Sequence, residues 1–178
     1  MIHRNFTPFP ILTTERLTLR QLTMSDEQEI FTLRSDREIN KYLGRPACTS
    51  MEEARSFITK INDNITKNAA LYWAITLKDQ NALVGTICLF GFTEDNDKCE
   101  IGYELLTPFQ GQGIMKEAAE KVIDYVFNML KVQKIEAFFH KDNLDSVKLL
   151  DKLSFHNSNE VDEENPELIG YYLMNSIK

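Results

Sequence analysis

Cysteine is scarce in this chain of 178 residues: there are three, Cys48, Cys88 and Cys99, and no two stand in the C-x-x-C spacing of a zinc ribbon or dithiol site. An odd number of well-separated thiols also excludes a disulfide framework, so they read as reduced, small, mostly buried residues of a cytoplasmic protein. Histidine is as sparse, and His3, His140 and His156 are too dispersed to offer a metal cluster. Seven glycines and five prolines are too few for a collagenous or disordered chain. Positive charge is short too: 20 Lys and Arg against 27 Asp and Glu give −7. That balance speaks against a protein built to grip nucleic-acid phosphates and favours cationic partners, amines included. No apolar run approaches the roughly 18 residues of a membrane span. Met1 to Pro10 lacks the apolar core of a signal peptide, so neither membrane nor export is expected.

The chain does have 43% hydrophobic residues, and at this length a single fold over residues 1–178 buries about 70% of its unfolded surface. No repeat breaks it, and the longest polar stretch, Asn157 to Asn165, reads as one surface loop. Polar and apolar residues alternate over Arg16 to Leu22, the period of a strand. Ser25 with Gln28, and Ser50 with Glu53, have the spacing of capping boxes that open two helices. Leu71 to Leu77, Leu83 to Phe90 and Cys99 to Leu106 read as three strands of an antiparallel meander. Apolar residues at helical spacing follow Gly113, then a strand at Ile135 to His140 and a short helix capped by Asn143. Phe155 and Ile169 to Met174 suggest two closing strands. The antiparallel meander leads into a strand–helix–strand crossover that must be right-handed and parallel, giving a mixed, layered α/β domain.

The stretch richest in chemistry runs from Glu100 to Met115, where a strand ends at Pro108, a loop with Gly111 and Gly113 turns the chain, and a helix starts at once. Such a junction aims unpaired N–H groups and a positive helix end at one point, the means of holding a phosphate or pyrophosphate. Glycines there let a ligand approach the backbone. A Walker loop needs Gly-Lys-Ser/Thr, but Ile114 and Met115 follow Gly113; a dinucleotide fingerprint needs a third glycine, where Lys116 stands.

The run Glu100-Ile101-Gly102-Tyr103-Glu104-Leu105, then Pro108, then Gln110-Gly111-Gln112-Gly113, resembles the acetyl-CoA-binding segment of the GNAT N-acetyltransferases, within them the RimJ/RimL branch of ribosomal-protein N-terminal acetyltransferases. Gln110, Gly113 and Met115 take the places of its Gln/Arg-x-x-Gly-x-Gly/Ala signature, Met115 replacing a small residue. Asn143 to Phe155 resembles the family's Asn-x-x-Ser, helix, Leu-Gly-Phe pattern. Ser154 stands for its glycine, which would soften the left-handed turn, and Leu150 replaces the tyrosine that many members use as an acid.

The resemblance implies a mostly antiparallel twisted sheet of about seven strands with about four helices and a parallel pair splayed around the cofactor. It implies acetyl-CoA as cosubstrate, contacted by Tyr103, Leu105, Leu106, Gln110, Gly111, Gln112, Gly113, Ile114, Met115, Lys116, Asn143 and Ser146. The amine attacks directly, and an amide near Leu105 bonds the thioester oxygen. Strand alternation places Glu100 and Glu104 on one face as the two candidate bases, with Ser146 the candidate proton donor to the thiolate. The acceptor expected is a protein or peptide N-terminal α-amine, a ribosomal protein among the candidates. A polyamine or antibiotic acetyltransferase and a non-catalytic acyl-CoA-binding module are the alternatives. Asn40 to Pro46 and Asn159 to Glu167 are the loops expected at the acceptor entrance.

Overall fold

The expected alternation produces eight strands: β1 (Leu12–Thr13), β2 (Leu17–Gln21), β3 (Leu71–Leu77), β4 (Leu83–Phe90), β5 (Lys98–Leu105), β6 (Lys134–His140), β7 (His156–Val161) and β8 (Leu168–Met174). They form one sheet in the order β1-β2-β3-β4-β5-β6-β8-β7 in a computed structural model that describes residues 4–162 and 164–176. Every neighbouring pair is antiparallel except β5 and β6, which run parallel. The helices are α1 (Glu27–Ser35), α2 (Arg37–Asn40), α3 (Met51–Thr66), α4 (Ile114–Tyr125) and α5 (Leu144–Lys152). None among the described residues is long and apolar enough to cross a membrane.

Helices cover both faces, so the central strands are buried on two sides. On one face Trp73, Ile75, Ile87 and Ile101 pack with Ala118, Val122 and Leu150 of α4 and α5. On the other, Ala74 and Leu83 pack with Ile30, Leu33, Ala54 and Ile58 of α1 and α3. Trp73 is fully buried and its indole N–H donates to the Pro10 carbonyl at 2.7 Å, the partner a buried indole needs.

Three local expectations are corrected. The box before α1 is built by Thr23 and Asp26, not Ser25 and Gln28: the Thr23 amide donates to Asp26 at 2.8 Å, and Arg20 grips the same carboxylate through two nitrogens. That ion pair, with Asp26 buried, opens a short 3-10 turn at Met24–Asp26 that leads into α1. Residues 157–161 belong to an edge strand rather than a loop, because a strand with one neighbour has no second partner to demand apolar side chains. Ser154 does adopt the left-handed conformation, with φ 63°, while the Phe155 amide closes the helix on the Leu150 carbonyl at 3.0 Å. Among the described residues the strands number eight, in keeping with the expected mostly antiparallel sheet, with the short β1 at one edge, and α2 is a one-turn helix.

Candidate active site

The β5–β6 ladder lasts only three residue pairs, Lys98 with Lys134, Cys99 with Ile135 and Glu100 with Glu136, and beyond them the strands part. Glu136 holds that closed end: it accepts from Lys98 Nζ at 2.9 Å and from Lys134 Nζ at 2.6 Å. Burial disfavours its charge, yet those two ammonium groups outweigh it and hold the carboxyl below its ordinary range.

Strand geometry decides which backbone groups face the opening. The Leu106 amide donates to the Val84 carbonyl on β4 at 2.9 Å, so by alternation the N–H groups of Ile101, Tyr103 and Leu105 point the other way, towards the departed β6. A cavity of about 210 Å³ lies there, lined by Ile101, Gly102, Tyr103, Ala137, Phe138, Asn143 and Ser146, among others. Leu106 has spent its amide on Val84 and its carbonyl on the Phe109 amide, leaving only its side chain to meet a ligand. A larger open depression of about 360 Å³ between α4 and α5 lies away from this opening.

At the end of β5 the chain makes a short 3-10 turn, Thr107–Phe109, and enters the glycine loop. Gln110 Nε2 folds back onto the Leu105 carbonyl at 3.0 Å, and Gln112 Nε2 onto the Pro108 carbonyl at 2.9 Å. Gly111 and Gly113 are both left-handed, with φ 73° and 76°. A Cβ on Gly111 would meet nothing within 4 Å, and one on Gly113 only Arg16 Nη2 at 3.5 Å, so the sign of φ, rather than crowding by the protein, requires glycine. Gly113 begins α4 without any side-chain cap, which leaves the first-turn amides of Ile114, Met115 and Lys116 to an outside acceptor. The Met115 side chain is buried in the core and does not narrow that mouth. Lys116 pairs with Glu120 on the solvated face of α4.

A brace that the sequence did not reveal fixes this loop. Glu117 accepts from Thr14 Oγ1, from the Arg16 amide and from Arg16 Nε at 2.6 Å, and Arg16 Nη1 donates to the Gln112 carbonyl at 3.0 Å. Burial works against the Glu117 charge, but these donors hold its carboxyl below the usual range.

Across the opening, Asn143 Oδ1 caps α5 by accepting from the Ser146 amide at 3.2 Å. The buried Ser146 side chain is the polar neighbour of the Tyr103 hydroxyl, which burial pushes up to about 12 against the opposing effect of that hydrogen bond. Sequence reasoning placed Tyr103 and Ser146 separately; their meeting joins β5 to α5. Leu150 is wholly buried in the core.

The two carboxylates on the opposite face of β5 differ. Glu100 is half-buried, and burial first, then the Glu136 charge, raises its carboxyl above the usual range. Glu104 is ion-paired to Arg45. Between them the face is floored by Cys88 and Tyr72, both partly exposed, with burial pushing the Cys88 thiol up to about 12. Tyr42 stacks on His140 with ring centroids 5.1 Å apart, bringing residues 41–46 over the parted strands, where Tyr42, Leu43 and Leu168 also line the cavity.

Open strand amides beside an uncapped helix end fit an elongated ligand with amide groups at one end and phosphates at the other, which is the make-up of a coenzyme A thioester and defines an acyl-carrier-dependent transferase. Residues 16–156 match the family model described as an acetyltransferase (GNAT) domain. The chain is 34% identical over 170 residues to the uncharacterized N-acetyltransferase p20 of Bacillus licheniformis, covering 94% of this chain and 96% of that protein. It therefore belongs to the GNAT acetyltransferase family, whose cosubstrate is acetyl-CoA. Its fold is similar to that of RimL, a ribosomal L7/L12 α-N-protein acetyltransferase solved with coenzyme A, at TM-score 0.81 and 20% identity over 93% of this chain and 98% of that one. It is also similar to spermidine N-acetyltransferase from Vibrio cholerae, solved with CoA and spermine, at TM-score 0.78 and 23% identity over 92% and 98%.

Proposed function

We propose that this acetyltransferase acts on the α-amine of a protein or peptide N-terminus, in the manner of the RimJ/RimL branch, and works as a single domain in the cytoplasm. The observation that carries this reading is Glu100: a half-buried carboxylate with a raised pKa, standing where β5 and β6 part. A carboxylate base has less to do for an α-amine, which titrates near 7.7 to 8.0, than for a lysine amine near 10.4.

Bound acetyl-CoA supplies an activated thioester carbonyl and a thiolate leaving group. The amides of Ile114, Met115 and Lys116, with the backbone of Gln110 to Gly113, bind its pyrophosphate. The Tyr103 and Leu105 amides hold the pantetheine arm as a replacement for the missing β6 ladder and lead it from the phosphate loop back along β5, so that the thioester lies towards Glu100. Asn143 orients α5 so that Ser146 faces the arm. Glu100 takes the amine's proton, directly or through water, while Glu104 is held by Arg45. Ser146 Oγ gives a proton at sulfur and draws on the Tyr103 hydroxyl beside it, which is protonated at any physiological pH.

A polyamine acceptor is the second reading, favoured by the charges of Glu136 and Asp162 that act on Glu100. The protein should be supplied with acetyl-CoA, short peptides, ribosomal proteins and spermidine, and the products mapped by mass spectrometry. Acetylation of peptide α-amines supports the proposal; acetyl groups found only on lysine side chains or on spermidine contradict it.

A further inference from the structure

Arg45 reaches the acceptor face of β5 from the connection between α2 and α3. Its Nη1 donates to Glu104 Oε1 and its Nε to Asn40 Oδ1 at 2.7 Å. Asn40 is itself fixed, since its Nδ2 donates to the Leu33 carbonyl at 2.8 Å and the Asp36 carbonyl at 2.6 Å. The guanidinium plane is thus pinned from two sides, yet Arg45 Nη2 is buried with no hydrogen-bond partner. Leaving a buried cationic donor unsatisfied is costly, because nothing replaces the water it has lost.

The local charge balance sharpens the point. Arg34 lies close by, its guanidinium 4.0 Å from the centre of the Phe57 ring, and burial followed by the Arg45 charge holds it below its ordinary value. Arg34 and Arg45 share the one carboxylate of Glu104, a local surplus of positive charge in a chain whose net charge is −7. Glu100 stands four positions back along β5, about 13 Å away at about 3.3 Å per residue. This face therefore offers a carboxylate at one end and an unsatisfied cation at the other. A purely cationic acceptor satisfies the first and leaves the second orphaned.

We propose that Arg45 Nη2 is the acceptor-selecting donor of the site, bonding a carbonyl or C-terminal carboxylate oxygen about three residues along the acceptor from its amine, so that peptides are taken in preference to plain polyamines. The oxygen enters beneath residues 41–46, which the Tyr42–His140 stack and the Arg45–Glu104 pair fasten over the cleft. The proposal rests on the acetyl-transfer reading above and adds the acceptor chemistry.

The test is calorimetric binding to the protein–CoA complex, with initial rates of thiol release from acetyl-CoA alongside. The acceptors are trialanine amide as a source of peptide carbonyl, trialanine with a free C-terminus as a source of carboxylate, and 1,4-diaminobutane, which has no oxygen. At least one oxygen-bearing ligand should bind about 10- to 100-fold more tightly than the diamine, the range of a charge-assisted hydrogen bond; whichever it is identifies the source. The double variant Arg45→Gln/Glu104→Gln, which removes both members of the ion pair together, should bring that ratio to within about twofold. Arg45→Lys, which keeps the charge and loses the planar fork, should fall between. Preference for the diamine in the wild type, or a ratio that survives in both variants, overturns the assignment. Failure of CoA itself to bind would overturn the acetyl-transfer reading, a separate and distinguishable result.

Discussion

The two halves of β5 differ in what lies beside them. Lys98 to Glu100 are laddered to β6 and fastened by the Lys98–Glu136 and Lys134–Glu136 pairs, whereas Ile101 to Leu105 face an opening. One strand thus serves as sheet interior at its start and as a binding edge at its end. The comparison shows that the site is made by withdrawing a neighbour: backbone groups that a sheet would satisfy are left for a ligand that carries its own amides. Glu100 and Glu136 face each other in register at the boundary and are shifted in opposite directions: Glu136 accepts hydrogen bonds from two ammonium groups, whereas burial and the Glu136 charge outweigh the Lys98 charge at Glu100.

The largest expected effect falls at that boundary. Glu100→Gln should lower kcat/KM by about 100-fold near neutral pH, the lower part of the range for general base catalysis. The deficit should shrink towards pH 9, where α-amines are already neutral. A pH–rate profile matching the wild type would move the base elsewhere, with Glu104→Gln as the comparison. At the far end of the open half, Gly113→Val forces a β-branched residue to φ 76°. A left-handed conformation costs about 1–2 kcal/mol in a non-glycine residue; the free loop relaxes to escape that cost and CoA binding must restore it, so affinity should fall about 5- to 30-fold in calorimetry on a folded variant.

Stability should separate the two facing carboxylates by sign. The Glu136 carboxyl is depressed in the folded state, so its contribution is present above the ordinary carboxylate range and lost as pH falls through its folded pKa. Glu136→Gln should therefore destabilise by about 1–3 kcal/mol at pH 7 and far less at pH 3. Glu100 is raised, so the folded state holds its proton longer, and stability declines as pH climbs between the unfolded and folded pKa values. Glu100→Gln should raise the melting temperature at pH 7 and leave it nearly unchanged at pH 3. Equal shifts for the two variants in thermal melts at both pH values would remove the distinction.

The open half was the more legible in the sequence. Left-handed φ values select glycine, so Gly111 and Gly113 announced the turn, and Asn143 announced the α5 cap three residues before the amide it accepts. Both signals are local. Arg45 meets Glu104 across 59 positions, and Arg16 meets Glu117 across 101, distances at which no pattern in the chain links the partners. The same limit hid the box before α1, since two overlapping candidates stood there and Arg20, on a preceding strand, decides between them. The stretch 157–161 reads as a loop in the sequence because its polarity is as proper to an edge strand as to a loop.

The smallest expected effect lies away from both halves. Ser154 pays the left-handed penalty at φ 63° at the end of α5, so Ser154→Gly should stabilise by about 1 kcal/mol. That corresponds to about 2–4 °C in a thermal melt of a chain this size, with CoA affinity unchanged.

Residue-resolved hydrogen exchange with and without acetyl-CoA tests the use of the opened strand most directly. Protection should rise at the amides of Tyr103 and Leu105 and at Ile114 to Lys116, while Gly102 and Glu104, whose amides face β4, stay as they were. Saturating acetyl-CoA that left Tyr103 and Leu105 unprotected, or protected both sets of β5 amides equally, would contradict the claim that the cofactor takes the place of the departed β6.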